Sequence, residues 1–86
     1  MKLNNLRDQI DSIDRDLVEL FKARMAVSAQ IAEYKRENGM PLLDSAREEE
    51  LLMKISELAG DELGEYAQKL YATILEISRE YQAKKL

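Results

Sequence analysis

A chain of 86 residues and 9.9 kDa has room for one domain, and at that size a lone core is thin unless disulfides, metals or a partner chain support it. Neither cysteine nor histidine is present, which excludes disulfide frameworks, thiolate zinc sites, cysteine nucleophiles and the usual neutral-pH proton shuttle. Seventeen acidic against thirteen basic residues give a net charge of -4, the wrong sign for a phosphate-backbone binder, so no nucleic acid partner is expected.

The longest stretch without a charge, Met25 to Ala32, is far short of the roughly 18 apolar residues of a membrane span, and the amino terminus lacks a signal-peptide core. These features predict a cytoplasmic protein with no membrane partner. One proline and three glycines in a chain that is 45% hydrophobic and 35% charged point to a helical bundle. They cluster at Gly39-Met40-Pro41 and at Gly60 to Gly64, dividing the chain into three segments of a single domain, 1–86.

In the first segment Leu3, Leu6, Ile10, Ile13, Leu17, Leu20, Arg24, Val27, Ile31 and Tyr34 step by three and four, a heptad pattern whose one exception is Arg24. The pattern predicts one helix from about Leu3 to Glu37, ended by Asn38-Gly39 and ~50 Å long. A compact chain of this size has a diameter of about 30 Å, so the apolar stripe overshoots its own companions. A second copy of the chain is the economical cover.

The second segment opens on Asp44-Ser45, either of which can cap a helix, and Ser45 with Glu48 reads as a capping box. A short helix to about Leu58 is predicted, with Glu48, Leu51, Ile55 and Leu58 on its inward stripe. The third segment predicts a helix from about Asp61 to Lys84. Its main stripe is Leu63, Leu70, Ile74, Ile77 and Tyr81, and an adjoining one carries Tyr71, Leu75, Ser78 and Gln82.

Burying Arg24 without a partner costs several kcal/mol, so either it fixes helix register while reaching water, or it meets something anionic. Lys35, eleven residues on, lies within about 20° of the same face and ~16 Å along it. Arg7 lies ~25 Å back and roughly 100° round the helix, and reaches that region only from an antiparallel partner. Arg47 opposes the dipole of the second helix, Glu48 points inward, and Ser78 and Gln82 share a flank of the third. Together these groups describe a pocket of cations with one carboxylate and one amide. It suits a small dicarboxylate bearing a hydroxyl, and a reaction that needs restraint and charge stabilisation rather than proton transfer.

The chain resembles the all-helical chorismate mutases. The resemblance is carried by Leu6-Arg7-Asp8-Gln9-Ile10-Asp11-Ser12-Ile13-Asp14, by Arg24 with Lys35, by Pro41-Leu42-Leu43-Asp44-Ser45-Ala46-Arg47-Glu48 and by Glu76-Ile77-Ser78-Arg79-Glu80-Tyr81-Gln82. It implies an all-α protomer of one long, one short and one medium helix, intertwined as a homodimer, that converts chorismate to prephenate without cofactor or metal. By the same resemblance Arg7 is contributed across the interface, Arg24 and Arg47 bind the substrate carboxylates, and Lys35 and Gln82 donate to the ether oxygen. Glu48 and the Asp44 backbone hold the ring hydroxyl, and Ser78 contacts a carboxylate. The connection Ala59 to Glu65 is shorter than in relatives, many of which are fused to a dehydratase, a dehydrogenase or a sugar-phosphate synthase. Two other readings use the same residues: an isochorismate pyruvate-lyase on this scaffold, and a non-catalytic dimerisation or regulatory module in which Arg24 sets register.

Overall fold

The long apolar repeat folds as one uninterrupted helix, α1 (Lys2–Glu37), in a computed structural model that describes residues 1–85. Its end is a Schellman motif: Gly39 takes φ 64°, the Met40 N–H donates to the Lys35 carbonyl and the Gly39 N–H to that of Arg36. Two further helices follow, α2 (Ser45–Ala59) and α3 (Gly64–Lys85), and the described residues hold no strand. The described residues are all-α with three helices, as the sequence predicts.

Of the two caps that the sequence offers for α2 the structure takes one, and the start of α3 differs from the sequence reading. The cap of α2 is Asp44, whose Oδ1 accepts the Arg47 N–H at 3.1 Å, and Ser45 is already helical. No Ser45–Glu48 capping box forms, because Ser45 already lies inside the helix, and the Glu48 carboxylate is engaged with Arg79. At the other boundary Asp61 to Leu63 form a turn rather than the first turn of α3. Gly60, at φ 87°, reverses the chain, and Gly64 then starts α3 hard against Ser56 of α2.

The packing overturns the expected inward stripes of α1 and α3 and largely keeps that of α2. α3 is the element on which both others lie. It meets them with the flank the sequence reading placed second: Leu75, Ser78 and Gln82 are buried, whereas Leu63, Leu70 and Ile77 are exposed. On α1 the buried residues are Met25, Ser28 and Ala32, beside the heptad stripe rather than on it. On α2 the predicted Glu48, Leu51 and Ile55 are half-buried together with Leu52, Ser56 and Ala59, and only Leu58 of the expected stripe, 73% exposed, faces out. Small and polar side chains thus share the close contacts within the protomer with Met25 and Leu75, and most of the large apolar side chains of α1 are left facing outward.

The consequence is an elongated protomer, 56 × 27 × 15 Å, with a radius of gyration of 16.0 Å where a compact chain of this length has about 12 Å. Every residue from Met1 to Ala23 is exposed, including Leu6, Ile10, Ile13, Leu17 and Leu20. Among the described residues no helix is long and apolar enough to cross a membrane.

Candidate active site

Where α1, α2 and α3 converge they border a half-open cavity of about 330 Å³. Helical spacing explains α1's share: Arg24, Ser28, Ile31 and Lys35 recur at three and four residues and line one wall. The 38–44 connection contributes Leu42 and Asp44, and the first turns of α2 contribute Arg47, Glu48 and Leu51. Leu75, Ser78, Arg79 and Gln82 of α3 close the opposite wall. Seven of the eight residues that the resemblance places in a substrate site therefore border one cavity. The eighth, Arg7, sits on the exposed half of α1 and does not line it.

Each polar group is held by a specific partner. Arg24 donates from Nη1 to Ser78 Oγ at 2.9 Å, and its guanidinium lies 5.9 Å from the Tyr71 ring centroid, a cation–π distance. Ser78 in turn donates to Met25 Sδ at 3.8 Å. Lys35 Nζ donates to the Leu42 carbonyl at 2.9 Å, which ties the α1–α2 connection over the end of the cavity and leaves two ammonium protons for other acceptors. Gln82 donates from Nε2 to the Ser28 carbonyl at 3.1 Å, so one N–H fixes its orientation while the other N–H and Oε1 remain for other partners. Arg47 makes only an exposed i,i+3 contact, 3.4 Å, to Glu50, weak enough to be exchanged for a better anion.

Arg79 was not assigned a role by the sequence reading. Its Nη1 lies 2.6 Å from each oxygen of Glu48 and bridges α3 to α2 across the cavity. The signal that marks it is positional: Arg79 is four residues after Leu75 and three before Gln82, both buried, so it shares their face.

Around the cavity stand Arg24, Lys35, Arg47 and Arg79 against Asp44 and Glu48, an excess of positive charge that matches an anionic guest. Among the described residues no cluster of acidic side chains has a metal-holding arrangement. A three-helix domain that turns cations and an amide onto one cavity is of the class that binds and restrains a small anion. The profile of the chorismate mutase type II family matches residues 6–83, and the chain belongs to that family.

A chorismate mutase of Methanocaldococcus jannaschii is 32% identical over 60 residues, 70% of this chain and 61% of that protein. A bifunctional chorismate mutase/prephenate dehydratase of Buchnera aphidicola is 34% identical over 86 residues, covering 98% of this chain and 22% of that protein. The T-protein of Haemophilus influenzae is 39% identical over 46 residues, 54% of this chain and 12% of its own length. The chain thus spans less than two thirds of each of these relatives. No solved structure matches it significantly.

Proposed function

We propose that residues 1–86 form a single chorismate mutase domain, an isomerase that rearranges chorismate to prephenate in the cytoplasm. The observation that carries this reading is the convergence of Arg24, Lys35, Arg47, Glu48 and Gln82 on one cavity in a member of this family.

In this rearrangement the enolpyruvyl C–O bond breaks as a C–C bond forms within the same molecule. No atom is gained or lost and no proton must be transferred, so a site without histidine or cysteine suffices. Arg24 and Arg47 pair with the two carboxylates and hold the enolpyruvyl group over the ring, which supplies the orientational part of the acceleration. Lys35 and the free Gln82 N–H donate to the ether oxygen, where negative charge grows as the bond lengthens; this interaction is stronger in the transition state than in the ground state. Glu48 accepts the hydrogen bond of the ring hydroxyl, the Asp44 backbone N–H donates to its oxygen, and Ser78 contacts a carboxylate.

The working unit is proposed to be an intertwined homodimer, with the partner's Arg7 completing each cavity. The exposed apolar stripe of α1 and the elongated shape support this, since a helix half without tertiary contacts is only marginally stable in water. Following loss of chorismate by ultraviolet absorbance, with product analysis, tests the activity. Prephenate as product supports the reading. Loss of pyruvate from isochorismate alone would assign the lyase instead, and no consumption above the uncatalysed background would leave a non-catalytic module.

A further inference from the structure

Resting on that functional reading, we infer that Arg79 is a positioning residue: it aims the Glu48 carboxylate at the substrate hydroxyl and offsets its charge against a doubly anionic substrate. Three observations lead there. Arg79 reaches both Glu48 oxygens at 2.6 Å from one nitrogen, so the carboxylate is fixed in orientation and not merely neutralised at a distance. Both side chains are partly withdrawn from water, 37% and 25% exposed, and both border the cavity. The other cations there have other partners: Arg24 is on Ser78, Lys35 on the Leu42 carbonyl and Arg47 on Glu50.

Such a device has a clear chemical use. A bare carboxylate in a cavity that admits a dianion repels the ligand it is meant to orient, and the repulsion grows as the ligand excludes water. One neighbouring guanidinium leaves Glu48 able to accept a hydrogen bond from the hydroxyl on its remaining lone pairs while lowering the local negative charge. Arg79 then influences binding through Glu48 and need not touch the substrate.

The test is a double-mutant cycle on the whole chain, with steady-state kinetics and thermal melts for the unaltered chain, Arg79→Ala, Glu48→Gln and the combination. Arg79→Ala is expected to raise KM and to lower kcat/KM by about 10- to 10²-fold, as misplacement of a positioning group does. In that background Glu48→Gln should cost far less than it costs alone, because it removes the charge that Arg79 no longer offsets. Arg79→Lys should recover most of the KM change, since an ammonium can also lie between two carboxylate oxygens. If the alanine chain does not fold, Arg79→Gln runs the same cycle without the charge.

Losses that multiply independently would overturn the inference and make Arg79 a direct ligand or a bystander. A lowered melting temperature with KM unchanged would reduce the pair to a brace between α2 and α3. If the unaltered chain does not consume chorismate, the functional reading itself fails. If it does and the cycle shows no coupling, only the role of Arg79 fails.

Discussion

Arg24 shows how one residue carries two opposite expectations. A charged side chain in a heptad seam that only set register would be dispensable, and Arg24→Leu would then stabilise the protein or change its oligomeric state. The guanidinium is instead held by Ser78 at 2.9 Å, against Tyr71 and at a cavity wall. For a substrate clamp, Arg24→Leu should lower kcat/KM by about 10²-fold or more with the oligomer unchanged in sedimentation. Retained turnover would return Arg24 to the register role. Arg24 and Lys35 were legible in the sequence because both lie on one helix, where period alone relates them. The bond from Arg24 to Ser78 and the pair Arg79–Glu48 were not, since their partners are 54 and 31 residues apart and only packing brings them together. The carbonyl of Leu42 that holds Lys35 carries no side-chain signal at all.

At the scale of elements, the α2–α3 corner is the least tolerant junction. A Cβ on Gly64 would lie 2.8 Å from Ser56 Oγ and 3.3 Å from the Ser56 carbonyl oxygen. Gly64→Ala should therefore destabilise the fold by about 1–3 kcal/mol in denaturant titrations. Adding Ser56→Ala should recover most of that loss, because it removes the nearer atom; no recovery would locate the strain in the backbone. Asp44→Ala removes the cap of α2 and should cost about 1 kcal/mol of stability. It should also weaken substrate binding, because Arg47 and Glu48 ride on that first turn. Helix number and rough length were readable from two breaks of glycine and proline and a period of three to four. Which face turns inward was legible for α2 but not for α1 and α3: there the larger apolar stripes were chosen, and the protomer buries the smaller, more polar flanks Met25–Ser28–Ala32 and Leu75–Ser78–Gln82. Hydrophobicity ranks faces by how much they need cover, and does not say whether the same chain provides it.

For the molecule as a whole, the proposed dimer can be stated with a register. If the partner's Arg7 lies between Arg24 and Lys35 in an antiparallel pairing of long helices, the two-fold axis passes near the middle of α1, around residues ~16–21. A charge at the stripe near that axis, Leu17→Asp, should shift sedimentation from dimer to monomer or unfold the chain, whereas Glu19→Lys at an exposed charged position should do neither. Arg7→Ala and Arg24→Ala chains, each inactive alone, should regain part of the activity when mixed and refolded, because some heterodimers hold one intact site. No recovery in verified heterodimers would remove the cross-chain role of Arg7. An elongated protomer was foreseeable from helix length alone, but the identity of its cover was not, since one sequence does not distinguish a second copy from another protein.

The bare amino-terminal half of α1 has a kinetic corollary. If each cavity needs a cation from another molecule, competence arises only when two chains meet. Specific activity should then fall on dilution, and its return after removal of denaturant should follow second-order kinetics, faster as the chain is more concentrated.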